Sequence, residues 1–123
     1  MKYMSHIKPG SVSVTAHEKT LRQLRCVVSG TDQQIELHHC HGGSLVDHPR
    51  YWPALARGAS QRTNHFLRIP INFEFHRGKW DPEAIGIPAW EAMWGRQIDH
   101  LQTVSDLVGY DVIEHAYVES LKI

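Results

Sequence analysis

Cysteine is scarce in this 123-residue chain: Cys26 and Cys40 are the only two, and they form no CxxC pair. Two thiols exclude a disulfide framework, and in a reducing compartment they are expected to be free or on a metal. Long apolar runs are missing as well, since no window approaches the ~18 uninterrupted apolar residues of a membrane helix. The opening residues 1–6 have no apolar stretch that could serve as a signal peptide. The expectation is therefore no membrane partner and a cytoplasmic location. Low-complexity segments and internal repeats are also lacking. With 41% apolar and 21% charged residues, disorder is excluded and a single domain over 1–123 is expected.

Net charge is zero, 13 basic residues against 13 acidic, but the distribution is uneven. Residues 50–79 carry Arg50, Arg57, Arg62, Arg68, Arg77 and Lys79 against Glu74 alone, whereas residues 80–123 are strongly acidic. A concentrated basic segment can attract a polyanion even in a neutral protein. The acidic segment is then expected on the opposite side. Histidine is abundant, with ten residues, and His38-His39-Cys40-His41 is an internal cluster. Imidazole is the commonest metal ligand and the usual general base near neutral pH.

The patterning predicts an α+β fold. Residues 1–14 read as an arm. Residues 16–25 suit a helix with Thr15 as N-cap and Glu18 completing a capping box. Cys26–Val28 and residues 34–38 read as two strands of a hairpin across the Ser29–Gln33 turn. Residues 40–65 are loop-rich. Residues 66–71 read as a strand that Pro70 confines to an edge or end, and 72–77 as a short helix stopping at Gly78. Apolar residues spaced three and four apart from Trp90 to Val108 predict an amphipathic helix capped by Gly109, with Gly95 as a point of interruption. A last helix is expected over Asp111–Leu121. Trp90, Trp94 and Cys26 are expected in the core, and His6, His17, His100 and His115 as packed or hydrogen-bonded residues rather than ligands.

A short helix with Asn72 and His76 one turn apart can present an amide oxygen and an imidazole to one ion. His38 and His39, adjacent on a strand, point to opposite sides unless the strand bends. If it bends into the Gly42-Gly43 loop, one ring can bind metal while the other faces substrate. Phosphodiester hydrolysis needs that division: a base to deprotonate water and a metal to stabilise the departing oxyanion. His48 and His65 are further loop histidines that can join such a site.

At this point the chain resembles a known superfamily. Ile35-Glu36-Leu37-His38-His39 and Phe75-His76-Arg77-Gly78-Lys79 look like the two ends of an HNH, or ββα-metal, nuclease motif, and the nuclease domains of DNase bacteriocins have similar ends. The motif covers residues 35–79. The resemblance implies a ββα-metal core with a flanking N-terminal helix and a helical C-terminal part over 89–121. It implies His38 and His76 as metal ligands, His39 as general base and Asn72 as a further ligand. Asn64 best matches the middle residue that orients the base, with a spacing to His76 one residue different from the bacteriocin pattern. The flanks, Leu21, Leu24 and Cys26 before the motif and Trp90-Glu91, Gly95-Arg96-Gln97 and Leu101 after it, are similar to phage recombination-enhancement (Ref-like) nucleases. Many relatives hold a second, structural zinc with paired cysteines. Here Ser29 stands where a CxxC would close and Asn72 where Cys is often found, which argues against that zinc, although Cys40 and His41 are available as substitutes.

The resulting expectation is a metal-dependent DNA endonuclease using one divalent ion, Mg, Mn, Zn or Ni. Arg57, Arg62, Arg68, Arg77 and Lys79 would hold the DNA backbone. A host recombinase filament is the expected second partner, and the host cytoplasm the location if the chain is phage-encoded. The runner-up is a catalytically silent nucleic-acid-binding or recombinase-associated module of the same fold. Third comes a zinc-structured interaction domain with Cys26, Cys40 and His41 on one ion.

Overall fold

The computed structural model describes residues 7–50 and 64–121. Among them it is an α+β arrangement of six helices and one two-stranded antiparallel sheet. The elements in chain order are α1 (Val14–Leu21), β1 (Ile35–His39), a 3₁₀ turn (Gly43–Asp47), β2 (Arg68–Asn72), α2 (Phe73–His76), α3 (Pro82–Ile85), α4 (Ile87–Trp94), α5 (Gln97–Val108) and α6 (Val112–Ser120). No helix among the described residues is long and apolar enough to cross a membrane.

β1 pairs with β2, not with the Cys26–Val28 stretch, so the expected hairpin is not formed. That stretch closes on itself instead. Cys26 N–H donates to the Thr31 carbonyl and Gly30 N–H to the Cys26 carbonyl, leaving Val27 N–H to reach the Pro70 carbonyl. Pro70 lacks an N–H, and a two-stranded ladder, in which each strand has an open edge, tolerates this. The first helix also differs from expectation. It begins at Val14 because the Ser13 side chain accepts from Ala16 N–H, and Glu18 is spent on Arg22 and Arg68 rather than on a capping box.

Alternation along the ladder separates two faces. Glu36 and His38 share a face with Ile69 and Ile71, which join Trp90, Leu101, Val104 and Phe66 in the core. The other face carries His39 and Arg68, and α1 reaches it through Glu18. Burying these apolar side chains is the main favourable term for the fold. Trp90 is fully buried and its indole N–H donates to the Phe75 carbonyl, tying α4 to the end of α2.

The predicted long helix is broken at Gly95, as its sequence allows. Gly95 has φ +102°, and a Cβ there would fall 2.8 Å from His100 Nε2. That imidazole N–H donates to the Trp94 carbonyl and closes the break. Met93, on the expected apolar face, is exposed. α5 ends at Gly109 in the left-handed conformation, as predicted, and the last helix forms with Asp111 as its cap.

His17 and His115 are core residues. His17 stacks on Phe66 and its Nδ1 lies 2.7 Å from the Tyr110 hydroxyl. Burial first, and the Arg68 charge second, lower the His17 pKa to about 4. Its folded pKa lies below its unfolded value near 6.5, so between these pH values the unfolded chain binds a proton that the folded chain refuses. Stability is therefore retained above about pH 6.5 and lost as pH falls toward 4, by at most about 1.4 kcal/mol per pH unit from this residue. Urea unfolding at pH 7.5 and pH 5 should show this loss, and His17→Gln should make it shallower. An equal pH dependence in the variant would show that His17 is not buried uncharged.

Candidate active site

β2 runs into α2 without a loop because Asn72 ends the strand and caps the helix. Its side-chain oxygen accepts from Glu74 N–H at 2.9 Å and its amide donates to the Gln33 carbonyl at 2.7 Å. Gly78 then stops the helix, since a Cβ there would meet Glu74 Cα at 2.9 Å. The direct strand-to-helix junction lays α2 beside the Glu36–His38 face of β1. The His38 and His76 ring centroids come within 5.5 Å, edge to face.

His38 is buried and stacks at 6.0 Å on Trp90. His76 Nδ1 lies 2.8 Å from Glu36 Oε1. A carboxylate can only accept, so Nδ1 carries the proton, and the neutral ring keeps its lone pair on Nε2. Arg77 donates to both oxygens of the same carboxylate, at 2.9 and 2.6 Å. The hydrogen bond from Arg77, aided by His76, lowers the Glu36 pKa to about 2, so it stays ionised. Metal-binding histidines commonly donate their second nitrogen to a carboxylate in this way.

An open cleft of about 300 Å³ is lined by four imidazoles, His38, His39, His41 and His76, with Arg77, Asp81, Pro82 and Glu83. His39 also lines it, although alternation turns its side chain away from His38 on the ladder. Burial lowers the pKa of both rings to about 4, with His76 adding to the effect at His38 and Arg68 at His39. Both are uncharged at neutral pH, the state that a ligand or a base requires. His39 Nε2 lies 3.2 Å from His65 Nδ1, and His41 Nε2 lies 3.0 Å from Glu83 Oε1.

Several residues singled out from the sequence stand elsewhere. Asn72 is a cap whose amide is already bonded, so it does not join His76 in presenting a ligand. Asn64 is buried as a loop pin. Its amide donates to the Ala116 carbonyl and its oxygen accepts from Phe66 N–H, and the residue beside His39 is its neighbour His65. Arg68 is 4% exposed; its guanidinium donates to Glu18 and to the His65 carbonyl rather than facing solvent. Arg77 and Lys79 are exposed, Arg77 on Glu36 and Lys79 over the Trp80 ring at 4.9 Å. Arg57 and Arg62 lie outside the described residues. The acidic segment is not confined to the far side: Asp81 and Glu83 line the cleft and Glu114 pairs with Arg50. Cys26 and Cys40 are free and buried. Among the described residues no three His, Cys, Asp or Glu side chains are grouped closely enough to hold an ion.

Gln97 carries a role that sequence reading missed. It is fully buried, and its Oε1 lies 3.0 Å from His38 Nε2. It stands in the Gly95-Arg96-Gln97 flank already noted, but 59 positions from its partner nothing in that stretch connects it to His38. Compared with protein-family models, curated proteins and solved structures, the chain matches none.

Asn72→Ala should cost about 1 kcal/mol in urea unfolding, the usual loss for an N-cap, and leave Zn²⁺ affinity within twofold of wild type by calorimetry. A tenfold weaker affinity would return Asn72 to the ligand set.

Proposed function

We propose that the chain is a metal-dependent endonuclease of the HNH class that hydrolyses DNA phosphodiester bonds. One observation carries this reading: β1, β2 and α2 bring His38 and His76 to 5.5 Å on one cleft that His39 also lines. The sequence motif asks for that trio, and the strand-to-helix junction at Asn72 supplies a physical reason for its assembly.

The donor chemistry suits a divalent ion. His38 and His76 are imidazoles whose second nitrogens are each engaged by a fixed partner, Gln97 and Glu36. When bound, the ion would polarise the scissile phosphate and stabilise the leaving oxygen. Mg, Mn, Zn and Ni are all candidates, with imidazole favouring the later metals. His39, uncharged through burial, is the proton acceptor. It takes a proton from water as the hydroxide oxygen bonds to phosphorus and the phosphorus–leaving-oxygen bond breaks. Arg77 and Lys79, exposed at the end of the ligand helix, would contact backbone phosphates in this reading, with Arg77 exchanging part of its hold on Glu36. Such contacts position DNA without reading its sequence. A phage-type role beside a host recombinase filament rests on the flanking resemblance alone.

Plasmid nicking in Mg²⁺, Mn²⁺, Zn²⁺ and Ni²⁺ tests the proposal. Wild type should cut with at least one ion. His39→Ala should lose about 10²–10⁴-fold in rate, the usual contribution of a general base, while retaining DNA binding. A His39→Ala protein that cuts at the wild-type rate would remove the base. Failure of the wild type to cut with any ion, while still binding DNA, would favour the silent module.

A further inference from the structure

The side chain that decides which nitrogen of His38 is free lies outside the β1–β2–α2 unit. Gln97 opens α5, and its amide meets backbone groups that each have a single role. His41 N–H donates to Oε1 over 3.2 Å, and Nε2 donates to the His41 carbonyl over 2.9 Å. A second carbonyl, that of Gly42, lies 3.5 Å from Nε2. Turning the amide over would set Nε2 against an N–H and Oε1 against two carbonyls, so its orientation is fixed. An amide oxygen can only accept. The proton in the 3.0 Å contact with His38 therefore belongs to His38 Nε2, and the neutral ring has its lone pair on Nδ1.

Gln97 is itself clamped. Its N–H donates to Glu91 Oε2 at 2.7 Å. Glu91 also accepts from Ser44 N–H and the Ser44 hydroxyl, whose oxygen accepts from Ile98 N–H. These bonds satisfy the first N–H groups of α5, which the Arg96 side chain leaves uncapped. Gly43, at φ +52°, makes room for the clamp, because a Cβ there would fall 2.5 Å from Glu91 Oε1.

We propose that Gln97 is a positioning residue that holds His38 as the Nε2-protonated tautomer, so that Nδ1 is the atom His38 offers to a divalent cation. The cation rests on the nuclease reading; the tautomer does not. Glu36 holds His76 the other way, with Nδ1 protonated, so the strand offers a δ nitrogen and the helix an ε nitrogen.

The test is a ¹⁵N–¹H correlation spectrum of the histidine rings in the metal-free protein, paired with Zn²⁺ titration calorimetry. Wild-type His38 should show a protonated Nε2 and a bare Nδ1. Gln97→Met, close in shape but without the acceptor, should mix or invert the tautomers and weaken Zn²⁺ binding about 10- to 100-fold, as loss of a ligand's hydrogen-bond partner does. Gln97→Glu keeps an acceptor oxygen and should restore the tautomer. If the methionine variant does not fold, the wild-type and Gln97→Glu spectra decide the question. A wild-type ring protonated on Nδ1, or a wild-type tautomer in Gln97→Met, would overturn the positioning role and leave the nuclease reading standing. Equal Zn²⁺ affinity in wild type and His38→Ala would instead remove His38 from the metal, overturning both the offered Nδ1 and the metal assignment of the nuclease reading.

Discussion

Antiparallel pairing sets His38 opposite Ile69 and His39 opposite Arg68, and the remaining geometry of the cleft depends on that register. Side chains alternate with a period of two, so a slip of one residue would exchange the two imidazoles between faces. Four of the five residues of β2 are buried, on both faces, so such a slip would force the packing on each side of the ladder to be rebuilt. Since β2 passes directly into α2, the same register fixes where His76 lies over β1. Two strands and one turn of helix thus place three imidazoles with little loop between the last two elements.

Charge and burial complete the arrangement in different ways. Glu36 is kept ionised by Arg77 and in turn sets the ring orientation of His76. His38 and His39 are kept uncharged by burial, although burial without partners would be costly for groups of this polarity. Their ring nitrogens meet Gln97 and His65, which offsets that cost. The cations Arg68 and Arg77 hold carboxylates from α1 and β1, so they stabilise the fold around the cleft as well as contributing charge to it. Asp81 and Glu83 on its rim set negative charge beside the Arg77 guanidinium, so the cleft carries both signs.

The strand–strand–helix order, the short helix ending at Gly78, and the helix stops at Gly95 and Gly109 were legible because each rests on local patterning. The burial of Trp90 was legible for the same reason, whereas the packed states of His17 and His115 followed only from the general tendency of isolated histidines to be hydrogen-bonded core residues. What escaped the sequence was long-range or competitive. Cys26–Val28 has strand-like residues, but the Ser29–Asp32 turn satisfies its backbone locally. Asn72 has the right spacing for a ligand, yet an amide at a helix start is drawn to the free N–H groups there. Arg68 belongs to a basic segment by composition, and the pleat turns it toward Glu18. Gln97 and Glu91 meet His38 and Ser44 only after α4 and α5 have packed over the sheet, and no spacing rule connects residues that far apart.

The most direct test of the account is the position of a bound ion, read from an anomalous difference map of crystals grown with Mn²⁺ or Zn²⁺. The account predicts a peak within bonding distance of both His38 and His76, with His39 facing it but not bonded. A peak bonded to His39 and His65, a peak at Cys40 and His41, or no peak in the cleft at saturating metal would contradict it.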